Sequence, residues 1–294
     1  MIELVVLGSG SAVPTRERNH PSVWLRYMGE AFLLDCGEGT QRQLALAELS
    51  YAKIDIVCIT HWHPDHALGL VGLLHTLETE SVARTIHVIG PDATRNVNGF
   101  MASAAKSEKA DIETMDVPQG GGVVRETPYY RIRAFPTLHN VRSYGYVFEE
   151  KDRWHYDMDK VERMKIPVRV LEELRQKLVI NYGDRRLAIG EVAERIHGKK
   201  VVYTGDTLPT ENTIEAAKGA DLLIHDATYL EKREDKYHST AEDAARVASA
   251  AGVKQLMLIH FSKIYADARA HVAAAKKIFP NTIAAEDLMA LKIV

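Results

Sequence analysis

The chain of 294 residues is 46% hydrophobic, enough to bury a sizeable core in one large domain or two small ones. Its 37 basic and 40 acidic residues leave a net charge of -3, which excludes a global attraction to nucleic acid and leaves only local basic patches to provide one. No apolar run approaches the roughly 18–20 residues that span a bilayer, and the only two cysteines make no disulfide framework.

The N-terminus enters directly into the apolar run 2–7, without the basic region and cleavage site of a secretory leader. Cys36 and Cys58 both lie in strand-like apolar settings, so a cytoplasmic protein with buried free thiols is expected. Strand-like runs then follow at 22–27, 31–34, 54–60, 86–89, 131–135, 143–148, 200–204, 221–225 and 255–259. Helical periodicity appears near 38–48, 66–76, 158–177, 240–251 and 267–277. Gly29-Glu30 separates two strand runs as a hairpin turn, and Gly120-Gly121-Gly122 forms a loop. Ser239-Thr240-Ala241-Glu242 fits a capping box with Gly252 as the helix stop, which puts His238 just before a helix start. Strands that come early in clusters and then mix with helices predict a layered α/β fold. Residues 151–199 differ from their surroundings: 12 Lys/Arg against 9 Asp/Glu give +3, and strand rhythm is weak. They are expected to form an inserted arm or subdomain within an otherwise single domain over 1–294.

Chemistry concentrates at strand ends. The strand ending at Thr60 and the helix starting near Ala67 leave His61, His63, Asp65 and His66 in the connecting loop, at the carboxyl end of the strand. Ligands of open α/β folds bind at that edge. Alternation puts His61 and His63 on one side, and the turn into the helix can swing Asp65 and His66 towards a second position. Four such groups gathered after a buried strand are costly without a partner. Imidazole with carboxylate suits Zn²⁺, and also Mn²⁺ or Fe²⁺. His139, Asp206 and His260 each end another strand run. Singly each is weak. Together the strand ends supply five His and two Asp, enough for two metals that share a carboxylate. His75 lies nine residues beyond His66 on one predicted helix and points to the opposite face. His87, His155, His197 and His271 read as structural or surface residues, and His225 as either a core residue or a support for the site.

His61-x-His63-x-Asp65-His66 with His139, Asp206 and His260 resembles the metallo-β-lactamase superfamily, an αβ/βα four-layer sandwich. Finer motifs resemble tRNase Z (ribonuclease Z) of the short form: Gly8-Ser9-Gly10-Ser11-Ala12-Val13-Pro14, Asp35-Cys36-Gly37-Glu38-Gly39-Thr40-Gln41, Ser143-Tyr144-Gly145-Tyr146, His238-Ser239-Thr240-Ala241 and His260-Phe261-Ser262 with Tyr265. Pro14-Thr15-Arg16-Glu17-Arg18-Asn19 is similar to that family's P-x-K-x-R-N loop, with Arg16 for Lys.

The resemblance implies an endoribonuclease that cuts 3′ trailers from precursor tRNA with two metals, most simply two Zn²⁺ per subunit. His61, His63, His139 and Asp206 would hold the first and Asp65, His66, Asp206 and His260 the second. Asp65 would accept the water proton. His238, oriented by Asp226, would protonate the leaving 3′-oxygen. Arg16, Arg18 and Asn19 would meet phosphate or the 3′ end of the tRNA, and a homodimer would let one subunit's arm hold tRNA for the other. Two departures stand out. His225-Asp226-Ala227-Thr228 replaces the family's His-Glu-Ala-Thr, so the carboxylate is one methylene shorter. The arm carries Ile166-Pro167-Val168-Arg169 and no Gly-Pro motif. A small-molecule phosphodiesterase, arylsulfatase or lactonase would keep the same ligands without needing the arm or the 14–19 loop. A redox or persulfide enzyme, or an RNA-binding protein with a relic site, fits the residues less well.

Overall fold

The computed structural model describes residues 1–80, 84–103, 111–233 and 237–294. The chain divides into two compact units: Met1–Glu126, Arg131–Glu149 and Lys199–Val294 form the larger, and Thr127–Tyr130 with Glu150–Gly198 the smaller.

The larger unit is built on two sheets of seven strands each. The first runs, in spatial order, Ala290–Ile293, Ile2–Gly8, Ser22–Tyr27, Glu30–Leu34, Ile54–Cys58, Thr85–Gly90 and Asp111–Asp116. Its first three pairings are antiparallel and the rest parallel. The second runs Thr282–Ala284, Leu256–Ile259, Leu222–Asp226, Lys200–Tyr203, Tyr144–Glu150, Tyr130–Pro136 and Gly122–Glu126, with the first four strands parallel.

Burial explains the layering. Leu44 on helix Thr40–Leu46, Leu70, Leu73, Leu74 and Leu77 on helix Gly69–Thr79, and Val97 on helix Ala93–Ser103 share one apolar cluster with Leu33, Val57 and Val88 of the first sheet. On the facing side, Phe32 and Tyr27 meet Phe148 of the second sheet edge-on, at centroid distances of 5.4 and 5.5 Å. Helix Ala241–Ala251 packs on Leu222–Asp226 and Leu256–Ile259 beyond it. The order is helix, sheet, sheet, helix, the metallo-β-lactamase sandwich. Both strands that run apolar without alternation, Leu222–Asp226 and Leu256–Ile259, are buried along their whole length, as parallel strands covered on both faces must be.

The smaller unit has its own core of Val161, Ile166, Leu171, Leu174, Ile180, Leu187 and Val192. Two strand pairs of four residues each support it, Arg153–Tyr156 with Ala193–Ile196 and Val179–Tyr182 with Arg185–Ala188. Strands that short barely express an alternation, which is why the sequence shows little rhythm there. The single helix expected over 158–177 is two, Met158–Arg163 and Val168–Lys177. Pro167 breaks it, because the residue before a proline is driven out of the helical region and Lys165 already turns left-handed at φ 52. The unit includes Thr127–Tyr130 and covers Glu150–Gly198, rather than 151–199 alone. Among the described residues no helix is long and apolar enough to cross a membrane.

Candidate metal centre

Parallel pairing lines up the carboxyl ends of Ile54–Cys58, Lys200–Tyr203, Leu222–Asp226 and Leu256–Ile259 within their two sheets, and the loops beyond those ends carry the polar cluster. His63 precedes Pro64 and is held extended, at φ -64 and ψ 148. Pro64 opens the short helix Pro64–Ala67, placing Asp65 and His66 in its single turn. That turn is seated tightly: a Cβ on Gly69 would lie 1.9 Å from the Gly37 carbonyl oxygen. Asp206 follows Gly205, whose φ is +60 and where a Cβ would come within 2.7 Å of Thr60. Asp35 and His260 adopt φ 60 and 69. For residues other than glycine this conformation costs about 1–3 kcal/mol and persists only where the surroundings enforce it.

The imidazoles share one polarity. His66 Nδ1 donates to Asp35 Oδ2 at 2.7 Å, His139 Nδ1 to the Tyr237 carbonyl at 3.0 Å, and His260 Nδ1 to Thr228 Oγ1 at 2.7 Å. His61 Nδ1 lies 3.0 Å from Thr60 Oγ1, which itself donates to Asp35 Oδ2 at 2.9 Å. In the neutral ring, a proton fixed on Nδ1 leaves Nε2 as a lone pair. The Nε2 atoms converge. His61 Nε2 and His139 Nε2 lie 3.0 and 3.2 Å from His63 Nδ1, and each is 3.8 Å from Asp206 Oδ2. On the other side of the same carboxylate, His66 Nε2 and His260 Nε2 lie 3.3 and 3.2 Å from Asp206 Oδ1, and both are 3.5 Å from Asp65 Oδ2.

Electrostatics support a cation at this point. Burial drives His61, His63 and His139 below the ordinary histidine range, keeping them neutral, which is the ligating form. Burial opposes the charges of Asp65 and Asp206, yet the adjoining imidazoles of His260 and His66 outweigh it and hold both as carboxylates. Burial also opposes charge on His66, but Asp206 and Asp35 outweigh it and raise its pKa well above normal, so His66 keeps a proton on Nε2 that a ligated metal would displace. His66 Nε2 and Asp206 Oδ1 are nonetheless buried without a well-formed hydrogen bond between them. A positive centre facing both atoms would satisfy them, and the donor set of imidazole and carboxylate fits a divalent metal. The protein therefore carries a divalent metal site, and the structure brings His61, His63, Asp65, His66, His139, Asp206 and His260 together there.

His238 lines the same cavity of about 240 Å³ as His63, Asp65, His139, Asp206 and His260. Its Nδ1 lies 3.1 Å from Asp226 Oδ2, so the shorter side chain reaches. Asp226 is fixed in turn by the amides of Thr207 and Thr228 at 3.1 and 2.9 Å. The helix beyond starts one residue later than the sequence suggested: Thr240 and Asp243 form the capping box, and Gly252 ends the helix at φ 60. Ser239 instead donates to the Thr207 carbonyl at 2.6 Å, tying the His238 turn to the loop that bears Asp206.

In the 14–19 loop, Pro14 to Glu17 are exposed while Arg18 and Asn19 are half-buried. Arg18 Nη1 donates to Ser9 Oγ at 2.6 Å and to the Ala285 carbonyl at 2.8 Å, with its guanidinium 4.5 Å from the centre of Phe261. Asn19 Nδ2 donates to the Glu38 carbonyl at 2.9 Å. Arg16 is exposed. Of the remaining histidines, His75 is exposed, and His271 is buried between Phe261 and Tyr265, where burial pushes its pKa down to about 4. His225 is buried beside the Asp226 carbonyl.

Asp35 had no role assigned from sequence, although a carboxylate just past the buried strand Glu30–Leu34 is the same kind of signal as Asp206. It accepts from the Thr60 amide at 2.7 Å and from Tyr203 Oη at 2.8 Å, besides orienting His66. Asparagine tolerates the left-handed conformation, so Asp35→Asn keeps the backbone and removes only the charge. Such outer partners are worth about 10–100-fold in metal affinity. Asp35→Asn is expected to weaken zinc binding by that factor in a chelator competition titration, and an unchanged affinity would refute the orienting role.

Comparison with known proteins adds to this geometry. Residues 2–181 match the family described as Anti-Pycsar protein Apyc1, and residues 166–261 match the Beta-lactamase superfamily domain. The chain is similar to a ribonuclease Z of Methanothermobacter thermautotrophicus, at 39% identity over 100% of this chain and 97% of the relative. It is similar to a ribonuclease Z of Ignicoccus hospitalis at 38% identity, over 97% of this chain and 96% of that one. The crystal structure of human tRNase Z, short form, superposes with a TM-score of 0.72 at 24% identity, over 99% of both chains, a likeness of fold.

Proposed function

The chain belongs to the ribonuclease Z family, and from that premise we propose that it removes 3′ trailers from precursor tRNA by two-metal phosphodiester hydrolysis, leaving a 3′-hydroxyl. The observation that carries this reading is the division of Asp206: Oδ2 faces His61 and His139, while Oδ1 faces His66 and His260. One carboxylate between two imidazole sets suits a bridged pair of metals. In this reading His61, His63, His139 and Asp206 would hold the first metal and Asp65, His66, Asp206 and His260 the second, with two Zn²⁺ per subunit and Mn²⁺ or Fe²⁺ as substitutes.

Divalent metals at such a site supply Lewis acidity to a phosphoryl oxygen and lower the pKa of water towards about 7. The protein's own groups do the rest. Asp65, kept anionic, accepts the proton of the attacking water. His238 carries a proton on Nε2 for the departing 3′-oxygen, because Asp226 engages Nδ1. Arg16 is the cation of the 14–19 loop that remains exposed to phosphate, while Arg18 and Asn19 fix the shape of the loop that presents it. The smaller unit, with its excess of basic residues, serves as a tRNA-binding exosite, and pairing of two chains brings one exosite to the other's substrate. A cytoplasmic location accords with a tRNA substrate.

The decisive experiment incubates the purified protein with a 3′-extended precursor tRNA across a panel of divalent metals and maps the cut. Cleavage that yields a 3′-hydroxyl at the end of the tRNA body is expected. An uncut precursor alongside hydrolysed small phosphodiesters would instead indicate a small-molecule hydrolase of the same fold. Deleting 151–198 is expected to raise KM for precursor tRNA on the order of 10–100-fold through lost phosphate contacts, with small-diester hydrolysis retained. Intact tRNA cleavage in the deletion would remove the exosite from this account.

A further inference from the structure

The cavity beside His238 leaves the nucleobases unaccounted for. Its volume is about 240 Å³, and the metal-site residues His63, Asp65, His139, Asp206 and His260 line it. A phosphodiester placed against those residues leaves the bases on either side of the cut towards the mouth. Two tyrosines stand there, Tyr229 and Tyr237, both lining the cavity. Tyr237 is 44% exposed, directly precedes His238 in the chain, and is pinned by the hydrogen bond from His139 Nδ1 to its carbonyl at 3.0 Å. Tyr229 stands edge-on to the His238 ring, with centroids 6.0 Å apart at 81°, and the Arg233 guanidinium lies 4.6 Å over its face.

We propose that Tyr237, together with the Arg233-covered Tyr229, forms a stacking subsite for the nucleobase on the retained, 5′ side of the scissile phosphate. The inference rests on the nuclease reading and on His238 as the proton donor. Cleavage that leaves a 3′-hydroxyl breaks the P–O3′ bond, and the 3′-oxygen takes its proton from His238. The sugar that bears this oxygen belongs to the last retained nucleotide, so its base lies one sugar's width from His238, on the side where the tyrosines stand. The first trailer nucleotide is attached through the phosphorus and departs on the opposite side. Unpaired bases stack on aromatic faces and on guanidinium planes without regard to sequence, at about 1–3 kcal/mol per base. A processing enzyme that meets many tRNAs needs recognition of that sort at the cut.

The test pairs protein variants with abasic substrates. Precursor tRNAs lacking the base of either the last retained or the first trailer nucleotide are cleaved by wild type, Tyr237→Ala and Tyr237→Phe, each checked for metal content. Wild type is expected to lose about 5–150-fold in kcat/KM, the fold equivalent of that stacking energy, when the retained base is missing, and much less when the trailer base is missing. Tyr237→Ala should show a comparable loss on the complete substrate and no further loss on removal of the retained base. Tyr237→Phe should preserve the discrimination, because it keeps the ring. An equal abasic penalty in wild type and Tyr237→Ala would overturn the subsite. Suppression of the trailer penalty instead would place the other base there and overturn the proposal equally. Wild type that leaves complete precursor uncut would fail the nuclease reading itself, and this inference with it.

Discussion

Asp206→Ala is expected to strip the centre of bound divalent metal and to lower precursor cleavage by at least ~10³-fold. Transition-state stabilisation by metals is worth several kcal/mol, and each 1.36 kcal/mol is tenfold in rate. The loss should exceed that of any single histidine, because among the described residues Asp206 faces both sets of imidazoles, through Oδ2 at 3.8 Å from His61 and His139 and through Oδ1 at 3.2–3.3 Å from His260 and His66. Without the carboxylate, His66 and His260 keep their outer partners Asp35 and Thr228 and stay oriented. The fold should therefore survive while affinity does not. Elemental analysis of the purified variant, with single-turnover cleavage, decides the matter. Full metal loading with wild-type cleavage would end the bridging assignment.

The second large effect concerns His238. General acid catalysis contributes about 10²–10⁴-fold, so His238→Ala is expected to lower kcat by that amount with metal content unchanged. The pH profile gives a sharper reading. Burial works against charge on His238, but the Asp226 and Asp206 carboxylates outweigh it and raise its pKa to about 9. The acid form is complete below the ordinary value of roughly 6.5, persists through neutrality, and is lost as pH rises through about 9. Activity should fall with it on the alkaline side. Asp226→Asn removes the nearest carboxylate, 3.1 Å from Nδ1, so the alkaline limb should move to lower pH. A limb that stays in place in Asp226→Asn would show that another group sets it.

Much of the centre was legible because its residues follow buried strands. A polar group just past an apolar run is held at a defined height by the strand before it, and His61, His63, Asp65, His66, His139, Asp206 and His260 all fit that description. Asp226 and His238 were legible only through their resemblance to a family motif. Whether a one-methylene-shorter carboxylate could reach depended on strand Leu222–Asp226 lying beside the loop that carries Thr207 and on the turn at Ser239. The helix cap was placed one residue early for a related reason: Ser239 and Thr240 are both competent caps, and the bond from Ser239 to the Thr207 carbonyl decides between them. The tertiary partners of the Arg18 and Asn19 side chains could not be read from the 14–19 loop itself. Arg18 bonds to Ser9 and Ala285, and Asn19 to Glu38.

The 2–7, 54–60, 200–204 and 255–259 runs, the metal-binding chemistry and the presence of a distinct basic segment follow from hydrophobic period and residue type, which are local properties of the chain. The placement of Asp206 between two sets of imidazoles, the orientation of His66, His260 and His139 by Asp35, Thr228 and the Tyr237 carbonyl, and the tyrosines at the mouth of the cavity do not. They depend on which strand ends become neighbours and on backbone turns such as those at Gly205 and His260. Pairings between residues tens to hundreds of positions apart are set by the packing of the two sheets, and no local pattern encodes them.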